Sequence, residues 1–120
     1  RGRPSGRPWA GLKARPYEPF QIELPVERPG CEAVYHLYTV RVRDRDRLKD
    51  ALAARGIETA VHYPRPLHLQ PAYARLGYRE GDFPVAERWS REVLSLPLHP
   101  TLTATQVRKI AEAVFPFTRI

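Results

Sequence analysis

The sequence holds a single cysteine, Cys31, in 120 residues, which excludes an internal disulfide and any zinc site built on cysteine. Long apolar runs are missing too. No stretch approaches the roughly 20 apolar residues that cross a bilayer, so no transmembrane helix is expected. The first apolar residues are broken up by Arg, Pro and Glu, which is not the pattern of a signal peptide. A cytoplasmic location is the default expectation. Lysine is scarce: Lys13, Lys49 and Lys109 stand against 17 arginines. Neither Ser95 nor Cys31 sits in a nucleophile setting such as G-x-S-x-G. Gly2-Arg3-Pro4-Ser5-Gly6 has proline where a phosphate cradle needs flexibility. There is no internal repeat, no helix-turn-helix or RNP signature, and no evident pair of catalytic carboxylates; Glu58 and Asp82 read as structural.

What is present begins with proline. Thirteen in 120 residues is about twice the usual ~5%, so much of the backbone is turn or extended loop. Apolar residues make up 42% and the net charge is +7, enough for one small core and a basic surface. Residues 1–20 read as an irregular Pro/Gly/Arg-rich arm, and 21–120 as one domain. Arg1, Arg3, Arg7, Lys13 and Arg15 could track phosphates. Arg41, Arg43, Arg45 and Arg47 are interleaved with Asp44, Asp46 and Asp50, a pattern of surface ion pairs. Nucleic acid is therefore not the expected partner, but a stand-alone basic module binding nucleotide-sugar phosphates or nucleic acid remains the alternative function.

Periodicity predicts the elements. In Ala33–Val42, Val34, His36, Tyr38, Val40 and Val42 alternate with Tyr35, Leu37, Thr39 and Arg41, as in a strand, and His36 falls among the core positions. Leu48, Ala51, Leu52 and Arg55 mark a helix capped by Asp44 or Asp46 and ended at Gly56. Ile57–Val61 reads as a second short strand, completing a strand–helix–strand unit. Pro64, Pro66 and Pro71 interrupt 62–73, with room for a helical turn after Pro71. Gly77 and Gly81 are turn points. A second helix opens at Pro84 with Asp82 as cap and a face of Ala86, Trp89, Ser90 and Val93. Residues 96–100 form an extended connector. Thr103 and Gln106 make a capping box for a third helix, whose Val107, Ile110, Ala111 and Val114 share a face. The fold class is α/β: a small sandwich of a two- or three-stranded sheet and about three helices.

The candidate site residues are histidines on the proline-rich loop. His62 and Tyr63 set an imidazole beside a phenol where a predicted strand ends, and His68 lies on the same loop. The bland alternative has His62 bonding a backbone carbonyl and Tyr63 in the core. A zinc site from His62, His68 and His99 lacks metal-ligand spacing.

The order of motifs then points to a family. Tyr35-His36-Leu37-Tyr38, Gly56-Ile57-Glu58-Thr59, His62-Tyr63-Pro64 with Pro66-Leu67-His68, Phe83-Pro84-Val85-Ala86-Glu87, and Leu94-Ser95-Leu96-Pro97-Leu98 resemble, over about 21–116, the C-terminal small domain of the DegT/DnrJ/StrS sugar aminotransferases of type I fold. The resemblance implies a pyridoxal phosphate enzyme, usually a homodimer, that moves an amino group from glutamate or glutamine to a nucleotide-linked keto-sugar. It implies that His62 and Tyr63, and less directly His68, face the substrate. The N-terminal domain that carries the cofactor lysine has no counterpart here. The expectation is a part of such an enzyme that holds no cofactor and is inactive alone.

Overall fold

The computed structural model describes residues 22–117; the arm expected over 1–20 lies outside the described residues. Two short strands, β1 (Tyr38–Arg41) and β2 (Val93–Leu96), pair antiparallel with Thr39 opposite Ser95 and Val40 opposite Leu94. Three α-helices accompany them: α1 (Arg45–Ala53), α2 (Pro84–Glu92) and α3 (Ala104–Val114). Two 3-10 segments, Leu67–Leu69 and Pro71–Leu76, fill the proline-rich loop, the second of them the helical turn expected after Pro71. The small α/β architecture with two strands and three α-helices agrees with the sequence reading.

Because side chains alternate across a strand, the sheet has two unlike faces. Val40 and Leu94 pack with Val42, Leu48, Leu52, Ile57, Ala113 and Val114 into the core between the sheet, α1 and α3. Leu48, Leu52 and Leu94 are fully buried. Thr39, Arg41, Val93 and Ser95 occupy the opposite face. Each sheet edge is closed by one further residue: Glu23 bridges Arg41 on the β1 side, and Ala60 bridges Ser95 on the β2 side. Short covered edges of this kind deny an incoming strand a template.

The sequence places the strands differently, and the reasons are local. Tyr35 lies in the left-handed region (φ 46°), which breaks the alternation, so β1 begins only at Tyr38. Val34 and His36 are exposed, not core. Ile57–Val61 makes a single bridge, Ala60 to Ser95 on the β2 edge, instead of a strand; strand propensity does not by itself set how far a run pairs. The true second strand, β2, follows α2 without a turn. Three of its four residues are buried, and four residues are the shortest run in which alternation can be read.

Helix ends follow capping rules more closely. Gly56 (φ 69°) turns the chain after α1, with Ile57 N–H donating to the Leu52 carbonyl at 3.0 Å. Asp44 occupies the N-cap position of α1 but makes no side-chain cap bond. For α2 the cap position is Phe83, not Asp82. The buried stripe of α2 is Glu87 and Ser90, while Trp89 is half-exposed and Ala86 exposed. On α3 the packed residues are Ile110, Ala113 and Val114, with Val107 and Ala111 outside. The expected box is present: Gln106 N–H donates to Thr103 Oγ1 at 3.2 Å, and Gln106 Oε1 accepts from Thr103 N–H at 2.9 Å. Thr103→Ala is expected to cost about 1 kcal/mol, read as a lower urea midpoint at unchanged slope.

Candidate functional site

The polar face of the sheet carries a chain of side-chain hydrogen bonds. Cross-strand partners on one face stand close enough to interact, and Thr39 Oγ1 meets Ser95 Oγ at 3.0 Å. Ser95 also fixes the neighbouring segment: its N–H donates to the Ala60 carbonyl at 2.8 Å and its carbonyl accepts from Ala60 N–H at 3.2 Å. Two residues later the chain presents His62, whose Nδ1 lies 2.9 Å from Ser95 Oγ. His62 therefore closes on a side-chain hydroxyl and not on the backbone carbonyl of the bland reading. The His62–Tyr63 peptide is cis. The Tyr63 ring stands edge-on to the imidazole, 5.4 Å between centroids, and it is 69% exposed. Tyr63 is not a core residue.

His68 goes elsewhere. Its side chain is buried, with Nε2 2.8 Å from Glu87 Oε1 and its ring against Phe83. Glu87 is 4% exposed, and it also accepts from Gly81 N–H at 2.9 Å and Phe83 N–H at 3.3 Å. These donors account for a charged group in the buried stripe of α2. The Gly81 amide holds the carboxyl below its ordinary range; burial opposes this, and the His68 ring and the Phe83 amide add to the lowering. An ionised carboxylate only accepts, so Nε2 of His68 carries the proton. The pair staples the proline-rich loop to α2 and fixes the turn before it.

Several other large apolar side chains are exposed, on the proline-rich loop, after it and on α2. Leu67 is 70% exposed, and Tyr73, Leu76 and Trp89 are also open to solvent, whereas Leu69 is half-buried. Arg41 reaches across from β1, pairing with Glu23 and Glu92 and lying 5.3 Å from the Trp89 ring centre. Beside it a cleft of about 270 Å³ lies between residues 23–25, β1 and Trp89, with Thr39 in its wall. Among the described residues, no group of three histidine, cysteine or acidic side chains could hold a metal ion. His99 instead bonds Thr101.

A family model for the DegT/DnrJ/EryC1/StrS aminotransferases matches residues 11–115. The chain belongs to this family. The match begins inside the stretch that the sequence reads as an arm. Over 93 residues the chain is 50% identical to the dTDP-3-amino-3,4,6-trideoxy-alpha-D-glucose transaminase of Streptomyces venezuelae, covering 78% of this chain and 24% of that protein. The crystal structure of S. venezuelae DesV in complex with a ketimine intermediate superposes with a TM-score of 0.75 at 44% identity, covering 93% of this chain and 29% of that one. NtdA from Bacillus subtilis, solved with its bound cofactor PMP, gives a TM-score of 0.68 at 29% identity over 81% of this chain and 23% of that one. The chain thus spans about a quarter of the length of the relatives it matches. The alternative of a stand-alone basic binding module finds no support in these comparisons. Arg41, Arg45 and Arg55 also serve internal contacts.

The DegT/DnrJ/EryC1/StrS family is pyridoxal-phosphate-dependent, and the described residues do not fit that cofactor. Lys49 and Lys109 are exposed on α1 and α3, without the apolar pocket that can activate an amine for imine formation. The buried carboxylate, Glu87, is already occupied by three donors. Lys13 lies outside the described residues. Sequence reasoning singled out His62, Tyr63 and His68, and the structure brings the first two together on the polar face while turning the third inward. It missed Thr39, Ser95 and Glu87. Ser95 lies 33 residues from His62 and Thr39 lies 56 from Ser95, and no local spacing signals contacts at that separation.

Proposed function

We propose that this chain is the C-terminal small domain of a pyridoxal-phosphate-dependent aminotransferase that transfers an amino group from glutamate or glutamine to a nucleotide-linked keto-sugar. In this reading His62 and Tyr63 face the substrate. The observation that carries it is the fixed imidazole beside an exposed phenol, on a sheet face bordered by apolar side chains that the domain's own core does not use. An exposed patch of this kind marks a surface that something else covers. Here the cover is the cofactor-bearing part of the enzyme, which is a homodimer in the cytoplasm when complete.

The cofactor, when bound in that other part, acts as the electron sink for amino transfer. This chain binds and orients. The Tyr63 ring offers an apolar face and a hydroxyl to a sugar. The His62 imidazole offers one hydrogen bond at a defined place. Leu67, Tyr73 and Trp89 exclude water from the seam. His68 acts one step back, by holding the loop through Glu87.

The test joins the chain to the cofactor-bearing part and measures amino transfer to a nucleotide-linked keto-sugar. His62→Ala is expected to lower kcat/KM about tenfold, the equivalent of one lost hydrogen bond. The chain alone is expected to leave the absorbance of added pyridoxal phosphate unchanged. A stoichiometric new band from the chain alone, or amino transfer by it unaided, rejects the reading.

A further inference from the structure

The structure assigns a role to Thr39 and Ser95: we propose that they are positioning residues that hold the His62 imidazole with its proton on Nε2, so that it presents an N–H donor to an acceptor oxygen of the substrate. The proposal rests on the reading of His62 and Tyr63 as the substrate-facing pair.

The direction of the hydrogen bonds follows from matching donors to acceptors. Thr39 Oγ1 has Ser95 Oγ as its hydrogen-bond partner, and Ser95 Oγ lies between Thr39 Oγ1 and His62 Nδ1. Each hydroxyl has one proton. If Thr39 donates to Ser95 and Ser95 donates to Nδ1, both hydroxyl protons are used. In the reverse direction Nδ1–H donates to Ser95 and Ser95 to Thr39, and the Thr39 proton faces the open cleft that Thr39 lines. Each direction leaves one proton facing outward, so the acceptors decide: an imidazole nitrogen is a stronger acceptor than a hydroxyl oxygen, and only the first direction uses Nδ1 as one. The first direction is therefore preferred, and it places the imidazole proton on Nε2. The bond at one ring nitrogen decides the state of the other.

The partner is also neutral. Among the described residues, the side-chain hydrogen-bond partner of His62 is a hydroxyl and not a carboxylate. The sheet supplies rigidity in its place: Ser95 is 4% exposed, and its backbone is bonded to Ala60 in both directions. A side chain held on a strand is placed more accurately than one on a loop. This matters for His62, which itself sits on the proline-rich loop. An N–H donor at Nε2 suits hydroxyl, carbonyl or phosphate oxygens, the acceptor groups of a nucleotide-linked sugar.

The experiment has two arms. In the chain labelled with 15N-histidine, two-bond proton–nitrogen correlation spectra read the tautomer of neutral His62. The expected result is a single form protonated at Nε2. Thr39→Val keeps the shape but removes the hydroxyl, and Ser95→Ala removes the direct contact. Both are expected to shift the Nδ1 resonance toward that of a mixed-tautomer imidazole, and Thr39→Ser is expected to restore it. A proton found on Nδ1 in the unsubstituted chain, or an Nδ1 resonance indifferent to both substitutions, overturns the hydrogen-bond assignment. In the second arm, with the cofactor-bearing part joined, Thr39→Val is expected to lower kcat/KM about tenfold, with recovery in Thr39→Ser. If His62→Gln instead leaves kcat/KM unchanged while the spectra are as expected, the substrate-facing reading fails and the hydrogen-bond assignment stands.

Discussion

Leu94→Ala is expected to lower stability by about 2–5 kcal/mol, the range for a leucine removed from a core that cannot collapse around the gap. Leu94 is fully buried at the middle of the sheet's inner face, opposite Val40 and against the helices. Both strands are four residues long, so few other contacts can take up the loss. Domains of this size hold about 5–15 kcal/mol in total, and such a loss corresponds to a fall in Tm of at least roughly 10 °C. Val107→Ala is the control. Val107 is 52% exposed, and its truncation is expected to stay within about 0.5 kcal/mol. Thermal unfolding of the two variants side by side checks this; equal midpoints would place the core elsewhere.

Glu87→Gln is expected to loosen the staple between the proline-rich loop and α2 and to erase an acid limb of stability. The carboxyl is held below its ordinary range, chiefly by the Gly81 amide. The unfolded chain therefore takes up the proton more readily than the folded one. Stability from this group is full above the unfolded glutamate value, about 4.3, and declines as pH falls through the lower folded value. Glutamine replaces one acceptor oxygen with an N–H donor facing the Gly81 amide, so the variant resembles the protonated state at every pH. Hydrogen exchange at Gly81 and Phe83 is expected to quicken at neutral pH. The stability curve below about pH 4.3 is expected to flatten relative to the parent chain. An unchanged acid limb in the variant would assign it to other carboxylates.

Glu87 also shows where sequence reading stops. A glutamate within an amphipathic helix is ordinarily given to the solvent face, and the hydrophobic pattern of α2 points to Ala86, Trp89, Ser90 and Val93. The buried stripe instead runs through Glu87 and Ser90, because turn amides at Gly81 and Phe83 and the His68 ring converge on the carboxylate. That convergence is a property of the loop's path. Ser95 is a similar case, since nothing near it in the sequence marks it as a partner of His62. The strand at 93–96 is hidden because four residues running straight on from a helix are too short a run for alternation to stand out. The run at 57–61 looks like a strand because its residues suit one, yet it pairs with the β2 edge at Ala60 alone.

What was legible rests on short-range physics. The Thr103–Gln106 box, the left-handed Gly56, the turns at Gly77 and Gly81 and the 3-10 segment after Pro71 depend on residues within a few positions of one another, so spacing alone determines them. The family was legible for a related reason: an ordered series of motifs survives as text. The sequence also singled out the His62–Tyr63 pair. Only the tertiary structure decided which strands pair, which face of the sheet is polar, that Thr39 and Ser95 stand behind His62, and that His68 turns inward to Glu87. Those outcomes depend on contacts between residues tens of positions apart, whose geometry is fixed by packing the core and not by any local preference.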